Sequence, residues 1–150
     1  MRELLNLAAI LGVAIEYADL THLDRDGDYN DDRHVIRLQE GMPYRLKRSV
    51  LAHELVHAYY RDVPTMFAVV NAKQERRAEE LAARMLITLD AYRAAEQARG
   101  GHTDSMAFDL GVDERLVIAY QGMLTRLGDD TYFRSRMGAG QWDHYERNAS

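Results

Sequence analysis

Apolar residues along the chain follow two periods, and each period predicts a different kind of element. Residues 3–11 carry apolar positions at helical spacing, and Gly12 closes the run as a helix stop would. Val13, Ile15 and Tyr17 then alternate with smaller or polar residues, the pattern of a half-buried strand. An acidic stretch, Asp24 to Asp32, reads as a loop, and His34 to Leu38 reads as a second strand. The two strands predict a small antiparallel meander or hairpin ahead of a long helix over about 44–61. Further helices are predicted at about 71–97, 103–110 and 113–127, while 129–150 shows no period and reads as an irregular tail. The expected architecture is α+β: one helix-dominated domain over 1–128 with a small N-terminal antiparallel sheet.

Composition narrows the function classes. The chain has 150 residues with a formal net charge of -5, from 19 basic and 24 acidic side chains. That balance disfavours coating nucleic acid or an anionic membrane through bulk charge. With no cysteine, disulfide frameworks, thiolate metal sites and cysteine nucleophiles are excluded. Any metal must therefore be held by histidine and carboxylate. The apolar stretch Leu4 to Ile15 runs straight into a strand pattern rather than a small-residue cleavage site, so an amphipathic helix is expected there, and a cytoplasmic location. Asp24, Asp26 and Asp28 match the first acidic positions of a calcium loop. Tyr29 and Val35 stand where glycine and glutamate are required, so a solvated turn is expected instead.

The chemistry concentrates in His53-Glu54-Leu55-Val56-His57 within the long helix. Residues four apart lie about 40° apart in helical projection, so both imidazoles can reach one cation. Glu54, between them, projects toward the same side and can serve as general base for an attacking water. Chance alone gives this string in about 1–2% of chains of this composition. The apolar neighbours Val50, Leu51, Leu55 and Val56 bury the helix, and burial makes two histidines and a glutamate costly without partners.

A third protein ligand is needed. The continuation with glycine and a third histidine is absent, since Tyr60 and Val63 occupy those positions. The alternative is a glutamate on the next helix, where Glu75, Glu79 and Glu80 are available. The apolar stripe there runs through Ala78, Leu81, Ala82, Met85, Leu86, Leu89 and Tyr92. Glu75 projects about 60° from its centre on the buried side, Glu79 near its edge and Glu80 away from it. Glu75 is the preferred ligand. Glu79 remains as the alternative, or as a partner for a ligand histidine's free N–H.

Arg48 to Ala58, together with the strand-like Gly27 to Leu38 and the later Glu75 to Ile87, resembles the ImmA/IrrE family of metallo-endopeptidases. The likeness covers about residues 10–125, with Leu81 where that family usually has phenylalanine and Thr88 where it usually has proline. The resemblance implies a zincin-like fold, His53, His57 and Glu75 as Zn²⁺ ligands, and Glu54 as general base. It implies a cytoplasmic protease whose protein substrate is a helix-turn-helix repressor of phage, mobile-element or stress genes. A protease of this kind also needs a donor to the peptide oxyanion, for which Tyr59, Tyr60 and His102 are candidates. Residues 103–127 are spaced like a helix-turn-helix, but Arg115 and Arg126 only balance Asp113 and Glu114 on the second helix. DNA binding is therefore disfavoured, and a helical hairpin within the domain is expected. The rival reading is a zinc-stabilised regulator that binds a protein or DNA and cleaves little.

Overall fold

The computed structural model describes residues 1–128. The expected tail, 129–150, lies outside the described residues. Backbone contacts divide the chain after Tyr120, and the first compact unit is Met1–Tyr120. The first holds, in order, α1 (Arg2–Leu11), β1 (Ala14–Ala18), β2 (Gly27–Asn30), β3 (Val35–Gln39), α2 (Tyr44–Tyr60), α3 (Ala68–Leu86), α4 (Leu89–Arg99) and α5 (Thr103–Leu110). A sixth helix, α6, covers 114–128 and begins in this unit. The molecule is thus helix-dominated α+β, as its periodicity predicts. No helix among the described residues is long and apolar enough to cross a membrane.

The sheet differs from expectation. It has three strands in the order β1-β3-β2, with β1 parallel to β3 and β2 antiparallel to it, so it is mixed rather than antiparallel. The cause is β2, which occupies part of the stretch read as an acidic loop. Its composition, Gly-Asp-Tyr-Asn, disfavours a strand. A cross-strand pair offsets that: Asp28 faces Arg37 in register and accepts from its Nε at 2.8 Å and Nη2 at 2.5 Å. The central strand β3 supplies Val35, Ile36 and Leu38 to the core against α2, whose Val50, Leu51, Ala52 and Leu55 are buried. Strand β2 is left as a sheet edge.

The helix predicted over 71–97 is two helices. Ile87 is extended (φ -119°, ψ 123°), and Thr88 caps the next helix by accepting from the Ala91 amide at 3.2 Å. Beyond it, Gly111 closes α5 in the left-handed region (φ 65°). That turn is tied back to α2: Arg48 Nη1 donates to the Gly111 carbonyl at 3.0 Å, and the Asp113 amide donates to Ser49 Oγ at 2.8 Å. Val112, Leu116 and Val117 are buried behind these bonds.

Gly27 lets β2 approach α2. A Cβ on it would lie 2.6 Å from Val50 Cγ1, 3.1 Å from the Arg37 carbonyl oxygen and 3.4 Å from Glu54 Cγ. Gly27→Ala must therefore push the edge strand off the helix, at a cost of about 1–3 kcal/mol. Urea unfolding should report that loss, and a Gly27→Ala/Val50→Ala double variant should lose less than the sum of the two single changes.

Candidate metal centre

Helix α2 carries His53 and His57 on successive turns of one face, and their ring nitrogens converge. The two Nε2 atoms are 3.0 Å apart, with ring planes at 71°. Helix α3 brings Glu75 across from the other side. Its Oε2 is 3.2 Å from His53 Nε2 and its Oε1 is 3.3 Å from His57 Nε2. One ligand atom from each of the three residues lies within 4.8 Å of the others. Two neutral imidazole lone pairs facing each other at this spacing would repel. An N–H on one ring donating to the other's bare nitrogen relieves that repulsion, as does a cation held between them. Two imidazoles and a carboxylate aimed at one point form a donor set that suits a divalent cation and leaves a coordination position free.

Glu54 sits beside this group, 7% exposed, at the junction of two adjoining cavities that also border His53 and Glu75. Burial pushes its carboxyl pKa up, against the pull of His53 and His57. Hydrogen bonds from His53 and His57 hold Glu75 well below the usual carboxylate range. At His57, burial acts against the imidazolium, but hydrogen bonds to Glu75 and Asp62 outweigh it and hold the pKa up at about 9.

The end of α2 completes the surroundings. Arg61 takes a left-handed conformation (φ 54°), and the chain folds back so that the Asp62 amide donates to the His57 carbonyl at 3.0 Å. Asp62 Oδ2 then lies 2.9 Å from His57 Nδ1. Arg61 itself reaches Asp31 through Nε at 3.0 Å and Nη2 at 3.2 Å, and Asp31 also accepts from the Tyr29 hydroxyl at 2.7 Å. The carboxylate on the far nitrogen of His57 is thus Asp62, which no spacing in the sequence singles out. Its only sequence signal was its place just past a helix end, five residues after His57.

Other site expectations need adjustment. Glu75 does not lie on the buried side of α3: its side chain is 63% exposed. The apolar stripe begins at Ala78, and one turn earlier the same face looks into an open cleft. Glu79 is half-buried and borders that cleft with Asp24 and Arg115. Tyr59 and Tyr60 line a separate apolar groove with Leu7, Leu55 and Met85, and His102 is the exposed residue preceding α5. None of these three borders the cavities around Glu54. The side chains that do include Arg25, Arg115, Tyr29 and Asn71, which no spacing in the sequence distinguishes from ordinary surface residues.

A family model described as the IrrE N-terminal-like domain of M78 peptidases matches residues 8–119, which include every residue of the centre. No curated protein matches the chain.

The raised His57 pKa has a consequence for protein stripped of metal. Its charged form favours the folded state, so the stabilisation is complete below the unfolded value of 6.5 and is lost as pH rises through about 9. Thermal unfolding of the chelator-treated protein between pH 6 and 10 should therefore show falling stability with rising pH. His57→Gln should flatten the dependence.

Proposed function

Because the chain belongs to the ImmA/IrrE peptidase family, we propose that it is a zinc-dependent endopeptidase with His53, His57 and Glu75 as the metal ligands and Glu54 as the general base. The observation that carries this reading is the convergence of those three ligand atoms beside a buried glutamate. A divalent cation held there would supply Lewis acidity to a peptide carbonyl and would acidify water to a pKa near about 7.

The residues of the chain account for the remaining work. Glu54 takes a proton from the attacking water onto its carboxylate and delivers it to the nitrogen of the departing segment. Burial raises its pKa, which makes the carboxylate a stronger base toward that proton. The edge of β2 borders the same cleft and offers free backbone groups on which an extended peptide can pair. Gly27, at the start of that edge, keeps the strand close to Glu54. Arg25 and Arg115 replace Tyr59, Tyr60 and His102 as the cations or donors facing the cleft.

The substrate in this reading is a cytoplasmic helix-turn-helix repressor whose cleavage switches on phage, mobile-element or stress genes. Support for it comes from family membership, and DNA binding by the chain itself is not part of the proposal.

The test uses zinc-loaded protein and helix-turn-helix proteins encoded beside its gene, with cleavage followed by mass spectrometry. Wild type should cut one of them, and Glu54→Gln should lose about 10²–10⁴-fold in rate while keeping its zinc. Cleavage that survives Glu54→Gln would refute the assigned base. Stoichiometric zinc with every such protein left intact would favour a metal-stabilised regulator instead.

A further inference from the structure

The metal ligands are not the only groups that join α2 to α3. Asp62, just past the end of α2, has a side chain only 9% exposed, and each of its oxygens meets a separate donor. Oδ2 lies 2.9 Å from His57 Nδ1, and Oδ1 accepts from Arg77 Nη2 at 2.5 Å. Arg77 belongs to α3, two residues beyond Glu75. Its guanidinium carbon lies 3.7 Å from the centre of the Tyr60 ring, and its Nε is buried without a hydrogen-bond partner among the described residues. The arginine is thus held by Asp62 on one side and by an aromatic face on the other.

We infer that Asp62 is a positioning residue for the metal site, fixing His57 through Nδ1 and itself fixed by Arg77 stacked on Tyr60. The inference rests on the reading of His53, His57 and Glu75 as metal ligands. Donation from Nδ1–H to Asp62 fixes one tautomer of His57, with the Nε2 lone pair facing His53 and Glu75. Without that bond the ring can turn or exchange tautomers and withdraw its lone pair from the site. Arg77 prevents the carboxylate from swinging toward water. Because Asp62 and Arg77 come from opposite sides of the interhelical gap, their ion pair also sets the spacing across which Glu75 must reach.

Asparagine is the informative replacement at position 62. It keeps the shape of aspartate but has one acceptor oxygen, so its NH₂ group would face either His57 Nδ1–H or Arg77.

The experiment loads the full chain with cobalt(II), measures affinity by chelator competition, and records the cobalt visible spectrum alongside circular dichroism. Asp62→Asn should remain folded, bind cobalt 10–100-fold more weakly and show an altered spectrum. Arg77→Met should weaken binding by a smaller factor, and the double variant should match Asp62→Asn alone, because Arg77 acts through Asp62. Arg99→Gln, which removes the distant Arg99–Asp109 ion pair, should leave affinity unchanged. Affinity within twofold of wild type for Asp62→Asn would overturn the inference, as would an equal loss in Arg99→Gln or fully additive losses in the double variant. If Asp62→Asn does not fold, Arg77→Met and Tyr60→Leu decide: weaker binding supports the inference and unchanged binding overturns it. A wild type that takes up no cobalt overturns the metal reading and this inference with it. A wild type that binds while its variants bind equally well overturns this inference alone.

Discussion

The separation between α2 and α3 is the constraint on which the rest depends. Two imidazoles on one helix fix a point in space, and that point is useful only if the facing helix can bring a carboxylate to it. Glu75 reaches both Nε2 atoms, at 3.2 and 3.3 Å, from a stretch of α3 that is otherwise open to solvent. The packing that keeps the helices at this spacing lies further along, where Ala78, Ala82 and Ala83 are buried. Small residues there allow close approach, and the site lies about a turn before them on α3. Stability and chemistry therefore occupy adjacent turns of the same pair of helices.

The surroundings of that point are graded in polarity. Behind it, Leu51, Ala52 and Leu55 seal α2 against water, and Glu54 is desolvated at the boundary. In front, Asp24, Arg25, Asp26 and Arg115 border an open, charged cleft. Desolvation on such a boundary makes the carboxylate more basic than one in bulk water. Residues 60–62 then act as a hub. Tyr60 supports Arg77, Arg61 reaches the turn after β2 through Asp31, and Asp62 braces His57. Three consecutive side chains thus join the end of α2 to the turn after β2, to a facing helix and to the centre itself.

Local pattern made much of this legible, and the limits are physical. The histidine spacing and the glutamate between them depend only on helix geometry, so they could be read directly. The angle to an apolar stripe points to Glu75. The residue agrees with the one that meets the histidines, but the supposed burial does not, because a stripe beginning at Ala78 says nothing about what faces the turn before it. Strand β2 is hidden in the sequence because its Gly-Asp-Tyr-Asn composition reads as a turn, while the Asp28–Arg37 pair that supports it joins residues nine positions apart. Thr88 caps α4 directly after the extended Ile87, a break that an unbroken helical period over 71–97 does not show. Asp62 and Arg77 could not be found by period at all. Their role arises from a left-handed turn at Arg61 and from a contact between two helices, neither of which a one-dimensional pattern encodes.

X-ray absorption at the zinc edge, on protein loaded with one equivalent of zinc, decides whether His53, His57 and Glu75 together hold one metal ion. The expected first shell has two imidazole nitrogens and light oxygen donors at about 2.0–2.2 Å. Glu75→Ala should lower the protein oxygen contribution while the imidazole scattering persists. Zinc bound without histidine scattering, or a spectrum unchanged in a His53→Ala/His57→Ala variant, would contradict that ligation.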